Sequence, residues 1–354
     1  MTCEYICPEC KKKLFLLENH LHCKNCLKNY EHKNDYTIFE NKKSFHPIDE
    51  SLKNLFLEIK YNSYENSINK FLDQMQQYQS QLTNTQYDKS IDIIFHGIGK
   101  SFFRCLDINS ELGNKSEILS HMFKKVYSIE IDDDYIELQK KRFKEKGCKN
   151  ISILKCDLLK LPFPDNFFDL ILCDGLLDNI SKFIDTENLS EIKNQLILEL
   201  KRVISQDGCI VFGVHNKNGF NLKWKGSNEN SKQISNFSTR QNFSDHISTL
   251  ENNNLKIKSY WAVPSYQIPY YSGELDDPIV TKAFFNNFSM FLSALRGGRH
   301  PPKIIEILLS LFRNLPYPLI KKILKTFSPS FIFCCWKNDT PNSFEYWIKK
   351  ESMY

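Results

Sequence analysis

The sequence predicts an α/β protein: a mostly parallel sheet of seven strands, a small cysteine-rich module ahead of it, and a helical insert near its end. Three observations predict this. Strand-like and helix-like stretches alternate from residue 103 to residue 214, the pattern that arises when parallel strands are joined by helices crossing the sheet faces. Two Cys-x-x-Cys pairs stand within the first 26 residues. Residues 264–329 separate the last two strand-like stretches, far more chain than a hairpin needs.

The 354 residues are 41% hydrophobic, enough for a sizeable core in two or three units. A net charge of +5 falls short of the strongly basic balance of a dedicated nucleic-acid binder. No apolar run approaches the length that spans a bilayer. The N-terminus carries cysteines and lysines where a secretory signal needs an apolar core, so the chain reads as cytoplasmic.

Residues 1–45 are expected to form the cysteine module. Five of the twelve cysteines lie in the first 26 residues. In a reducing compartment such a cluster favours metal over disulfides, and the scattered remainder read as core residues. Cys7 and Cys10, then Cys23 and Cys26, form two knuckles. Together they offer four thiolates to a tetrahedral Zn²⁺, and so short a segment needs the metal to fold. Four thiolates leave no open coordination position, so the expected zinc is structural. Cys3, His20 and His22 are spare ligand candidates. Lys11–Lys13 read as a solvated charge run, with phosphate contact as the alternative.

Residues 46–90 are a helical linker. Leu52, Leu55, Phe56, Ile59, Tyr64, Ile68, Phe71 and Leu72 follow a largely helical spacing, with no Gly or Pro between them. Residues 91–263 form the core. Strands are expected over Arg104–Ile108, Val126–Ile131, Ile151–Lys155, Phe168–Cys173, Cys209–Val214 and Leu255–Val263, and helices over Gly113–Lys125, Asp132–Lys146 and Leu189–Ile204. In such sheets ligands sit beyond the carboxyl ends of the strands. Asp107, Glu130, Asp157 and Asp174 fall at the ends of four successive strands. One acid there is usually a helix cap; four in series point to a ligand pocket. Glu130 is placed to accept both ribose hydroxyls of a nucleoside.

Residues 104–214 resemble the core of a class I S-adenosylmethionine-dependent methyltransferase. The matching segments are RCLDINSELGNKS, VYSIEID, ILKCDLLKLPFPDNFFDLILCDGLLDNI and LKRVISQDGCIVFGV. Leu161-Pro162-Phe163 and Phe168-Asp169-Leu170 are similar to the small-molecule branch. The resemblance implies a Rossmann-like sheet and S-adenosylmethionine as cofactor. It implies cofactor contacts from Asp107, Asn109, Ser110, Glu111 and Gly113 in the glycine-rich turn. Glu130 and Ile131 would meet the ribose, Asp157 and Leu158 the adenine, and Asp174 and Leu176 would lie under the sulfonium. The cysteine module resembles the zinc ribbon that precedes the catalytic domain of several methyltransferases, including one group acting on ribosomal RNA.

The turn departs from the family at Asn109 and Glu111, which stand where glycines are expected. Asn is the best non-glycine substitute where φ is positive. Glu111 adds bulk and charge beside a ligand that carries its own carboxylate. Three readings stay open: Glu111 points to solvent, it contacts the cofactor's ammonium, or the site is degenerate and the protein is a catalytically silent scaffold. The first two are favoured, because the rest of the core pattern is kept.

Residues 215–243 form a polar connection longer than most loops. His215 opens it at the rim of the expected pocket and is a candidate general base. The insert, residues 264–329, is expected to cap the strand ends, with helices at 279–296 and 302–326 and with Tyr266 as a second catalytic candidate. Residues 296–325 interleave Lys and Arg with Ile and Leu, a pattern that fits packing or an anionic membrane surface. Residues 330–354 hold the seventh strand, Phe331–Lys337, and a tail.

These readings converge on transfer of a methyl group to an O or N atom of a small, glycan-linked or lipid-linked acceptor. The alternatives are rRNA or tRNA methylation with the ribbon touching RNA, and the silent scaffold. Against RNA, Asp174-Gly175-Leu176-Leu177 stands where an Asn/Asp-Pro-Pro-Tyr motif would act on a base amino group. No oligomeric state is implied.

Overall fold

The computed structural model describes residues 2–33, 36–40, 52–73, 103–182, 188–219, 240–264, 266, 269–279, 281–282 and 314–338. The strands are β1 (Thr2–Ile6), β2 (Lys13–Leu17), β3 (His20–His22), β4 (Asn29–Lys33), β5 (Tyr36–Ile38), β6 (Arg104–Ile108), β7 (Lys125–Ile129), β8 (Ile151–Lys155), β9 (Phe168–Asp174), β10 (Ile204–His215), β11 (Lys256–Pro264), β12 (Pro269–Glu274) and β13 (Ser330–Trp336).

The seven expected strands lie in the order β8-β7-β6-β9-β10-β13-β11. The first five are parallel, and β13 runs antiparallel to both β10 and β11. The expectation of a seven-stranded sheet is corrected: thirteen strands among the described residues form one sheet. β5 pairs parallel with β8, Tyr36 against Ile153 and Ile38 against Lys155, and β1–β4 continue outward as an antiparallel meander. Without β5, β8 would be an open edge with unpaired N–H and C=O groups. The cysteine module is therefore hydrogen-bonded into the sheet. Its Ile6 N–H also donates to Pro162 O at 3.0 Å.

At the other edge, β12 lies in the insert ahead of its first expected helix. β12 pairs antiparallel with β11, Tyr260 against Glu274 and Val263 against Tyr271. Residues 283–313 lie outside the described residues, and with them most of the first expected insert helix and of the basic stretch. Helix α7 (Tyr317–Phe327) falls in the second expected helix. It buries Ile320 and Leu324 and lays Lys325 over the Phe243 ring at 4.8 Å. No helix among the described residues is long and apolar enough to cross a membrane.

Two linker helices, α1 (Lys53–Tyr61) and α2 (Tyr64–Leu72), are separated by Ser63, whose hydroxyl caps α2 by accepting from Asn66 N–H at 3.3 Å. Their buried faces pack on Leu112 and Leu138, so the linker backs the turn after β6. Helix α3 (Asn114–Ser120) is shorter than expected: the chain turns at His121–Lys124 to enter β7. Helix α4 (Asp133–Glu145) starts at the Asp132 cap, and Gly147, at φ 72°, turns the chain after its end. Helix α5 (Leu189–Val203) buries Leu196, Ile197, Leu200 and Val203, and α6 (Phe243–Glu251) buries Phe243, His246 and Leu250.

Candidate functional site

The turn between β6 and α3 carries three residues in the left-handed region: Asn109 at φ 61°, Glu111 at 46° and Gly113 at 74°. The backbone of a glycine-rich turn is thus kept with a single glycine. That glycine is required by space as well, since a Cβ at Gly113 would lie 2.9 Å from Gln139 Cγ and from Phe143 Cζ. The N–H groups of Asn109 and Ser110 donate to Ile129 O at 3.1 and 3.3 Å, tying the turn to the end of β7. Beneath it runs a buried polar chain. Ser116 Oγ donates to Asp107 Oδ2 at 2.6 Å, and Ser128 Oγ donates to Gln139 Oε1 at 2.9 Å. The Gln139 amide donates to Ser110 Oγ at 2.9 Å and to Glu111 O at 2.7 Å. Burial pushes Asp107 up to about 6, against the pull of Ser116. Sequence reasoning missed Ser116, Ser128 and Gln139. The one available signal was a serine on an inward-facing position of VYSIEI.

Glu130 stands one residue past β7 and is 3% exposed. Its Oε1 accepts from Ile131 N–H at 2.7 Å and Asp132 N–H at 3.1 Å, and its Oε2 from Glu111 N–H at 2.9 Å. Burial pushes the carboxyl up to about 7; the Glu111 charge adds to this and the three N–H groups oppose it. A carboxylate oxygen has two lone-pair sites, so Oε2 retains one for a hydroxyl. A buried carboxylate beside a left-handed turn fits the ribose end of a nucleoside cofactor. Ile131 and Leu158 are buried beside their acidic neighbours. Asp157 Oδ1 accepts from Leu159 N–H at 2.9 Å, the turn-capping role that a lone acid after a strand usually has.

Glu111 is half-buried, with its carboxylate 3.3 Å from Asn109 Nδ2. The same amide lies 3.5 Å from Asp174 O at the end of β9. Asp174 pairs with Lys115, a residue of the RCLDINSELGNKS segment that sequence reasoning gave no role; the two side chains are 18% and 12% exposed. Gly175 follows at φ 61°, and Leu176 is fully buried.

The other candidates meet on the far side of Asp174. His215 ends β10, and its ring centroid lies 4.9 Å from that of Tyr266. Gly175 and Gly213 make room for the tyrosine: a Cβ at Gly175 would sit 2.6 Å from its hydroxyl oxygen, and one at Gly213 would collide with its ring. Burial, helped by Arg240, pushes His215 down to about 4. It is neutral at neutral pH, and the same shift makes it a weaker proton acceptor than an ordinary imidazole. Burial raises Tyr266 well above its ordinary value, so its hydroxyl keeps its proton. Asp178 and His246 were missed. Asp178 Oδ2 accepts the backbone N–H of His215 at 2.7 Å, and Oδ1 lies 3.9 Å from His246 Nε2. Burial pushes Asp178 up to about 6 and His246 down to about 3. Nothing local in the sequence marks His246, which comes from α6.

At the sheet's first edge the Sγ atoms of Cys7, Cys10, Cys23 and Cys26 all lie within 4.8 Å of one another. Cys7–Cys26 and Cys10–Cys23 are at 3.4 Å and Cys10–Cys26 at 3.8 Å. Thiolates about 2.3 Å from a tetrahedral zinc stand about 3.8 Å apart, so the cluster fits that ion. Tyr30 Oη lies 3.2 Å from Cys7 Sγ. Lys11, the phosphate alternative, is instead held by Glu199 at 3.1 Å and Leu161 O at 3.3 Å.

Residues 97–263 match a family model described as "Methyltransferase domain". A curated relative, "Uncharacterized methyltransferase YcgJ" of Bacillus subtilis, is 26% identical over 112 residues, 32% of this chain and 40% of that protein. The chain thus spans two-fifths of that relative's length. Among solved structures, a SAM-dependent methyltransferase from Aquifex aeolicus aligns at 20% identity and TM-score 0.40, covering 56% of this chain and 92% of that one. Phosphoethanolamine N-methyltransferase 2 of Haemonchus contortus aligns at 13% identity and TM-score 0.43, covering 78% and 60%.

Proposed function

We propose that this chain is an S-adenosylmethionine-dependent methyltransferase, reading the domain matched over residues 97–263 together with the site just described. One observation carries the proposal: a left-handed turn at Asn109, Glu111 and Gly113 held against the buried carboxylate of Glu130. When bound, the cofactor supplies an activated methyl group on sulfur; the protein supplies position and proton handling. Glu130 binds the ribose, and Asn109, Ser110 and Gly113 shape the backbone around the methionine end. His215 accepts the acceptor's proton, with Tyr266 beside it to orient the nucleophile. The acceptor is a small molecule, glycan-linked or lipid-linked, methylated at O or N. The exposed Leu319 and Phe327 of α7, next to its lysines, favour a peripheral anionic membrane contact for the lipid-linked case.

The ribosomal or transfer RNA alternative is weakened by Lys11, whose charge is committed to Glu199. The silent-scaffold alternative is favoured by the Lys115–Asp174 pair, which sets two charges into the expected cofactor site. Calorimetry with S-adenosylhomocysteine separates scaffold from enzyme. Micromolar binding is expected. Absence of binding at millimolar ligand, restored by Glu111→Gly, would replace the enzyme reading with the scaffold.

A further inference from the structure

The turn after β6 and the first turn of α3 bring two charges that a glycine-rich turn does not need, Glu111 and Lys115, and both sit where charge is costly. Glu111 is half-buried, and the Lys115 side chain is 12% exposed. Burying a charge is unfavourable unless a partner compensates it. Both are grouped around the tips of β6 and β9. The Asn109 amide spans from the Glu111 carboxylate to the Asp174 carbonyl, at 3.3 and 3.5 Å, and Lys115 is paired with the Asp174 carboxylate. The buried Asp107 feels both, Lys115 as an attraction and Glu111 as a repulsion. One cation, Lys115, and the carboxylates of Glu111 and Asp174 thus gather at the tips of β6 and β9.

We infer that Lys115 and Glu111 form a charge clamp that reads the zwitterionic amino-acid end of the cofactor, Lys115 taking the carboxylate and Glu111 the ammonium. This rests on the cofactor reading above. A nucleoside or thioether carries no charge for these side chains; an α-amino acid carries one of each sign. Exchange conserves pairing. Lys115 passes from Asp174 to the ligand carboxylate, and the ligand ammonium is held by Glu111 and by the Asp174 carboxylate that Lys115 leaves. Charge-assisted bonds then do what close backbone approach does in a turn of glycines, and Glu111, the residue least suited to that turn, gains a function.

The test titrates the full chain by calorimetry with two ligands. S-adenosylhomocysteine has the amino-acid end; 5′-methylthioadenosine keeps the nucleoside and thioether and lacks it. Lys115→Met is expected to weaken S-adenosylhomocysteine about tenfold or more and methylthioadenosine less than about twofold, whereas Lys115→Arg keeps both within about threefold. Glu111→Gln is expected to behave as Lys115→Met does. Because Lys115→Met leaves Asp174 uncompensated, Lys115→Met/Asp174→Asn is measured beside it and should show the same selective loss. Equal loss for both ligands across these variants, or no loss for either, overturns the clamp while leaving the cofactor reading in place. A wild-type chain that binds neither ligand removes both.

Discussion

The backbone N–H of Glu111 donates to Oε2 of Glu130 at 2.9 Å. The residue that most disturbs the glycine pattern is thereby tied to the carboxylate expected to hold the ribose. Glu111 makes this bond with a left-handed φ of 46°, and the protonation state of Glu130 decides how strongly the bond holds.

A pH dependence follows from Glu130. Its carboxyl moves from 4.5 to about 7 on folding. The folded state keeps a proton that the unfolded state has lost, so stability falls as pH rises through that window. Asp107 and Asp178, each pushed up to about 6, act in the same direction. His215 and His246 oppose them. They are lowered from 6.5 to about 4 and about 3, so their contribution to stability grows as pH rises to 6.5 and is then complete. Between roughly pH 6.5 and 7.5 the Glu130 contribution falls, so the melting temperature without ligand should fall relative to that of Glu130→Gln over this range. Affinity for S-adenosylhomocysteine should rise about tenfold from pH 6 to pH 8, because the ionised carboxylate is the hydroxyl acceptor. Affinity that stays flat in calorimetry over this range would sink the role given to Glu130.

The turn itself makes a stability prediction. A left-handed non-glycine residue costs about 1–2 kcal/mol, part of which a glycine returns as entropy lost on folding. Glu111→Gly should therefore stabilise by up to about 1 kcal/mol in urea unfolding. Asn109→Gly should change little, since Asn tolerates the conformation and loses its amide contacts. Gly113→Ala should destabilise by about 2 kcal/mol or more, because its Cβ meets Gln139 and Phe143.

Arg142 and Glu117 form a fully buried ion pair behind the turn, Nε to Oε2 at 2.6 Å, and Arg142 Nη1 also donates to Leu112 O at 3.1 Å. Removing one partner strands a charge. Arg142→Met should cost about 3–5 kcal/mol, and Arg142→Met/Glu117→Leu should recover much of that loss. Recovery absent from denaturant titrations would argue that packing, and not charge, governs this position.

The cysteine cluster predicts about one zinc per chain by elemental analysis. Cys23→Ser should abolish it. Because β5 pairs with β8, amide exchange should quicken at Tyr36–Ile38 and spread to Ile153–Lys155, leaving β6 and β9 protected. Reduced, freshly purified protein without metal would defeat the assignment.

Much of the fold was legible in the sequence, because it rests on local signals. The strands that became β6–β9 show as short apolar runs closed by acids, and α4 shows by its Asp132 cap and the glycine after its end. The left-handed backbone at Asn109 was legible from the glycine that the resembled family has there, together with the tolerance of Asn for positive φ. The sequence by itself therefore determined the α/β class, the seven core strands and the paired cysteines. Only the tertiary structure decided that β5 closes the β8 edge, that Lys115 reaches Asp174, and that Tyr266 stands against His215. The physical reason is range. Periodicity and capping act over a few residues, whereas an open strand edge or a buried charge is satisfied by whichever distant residue the folded chain delivers.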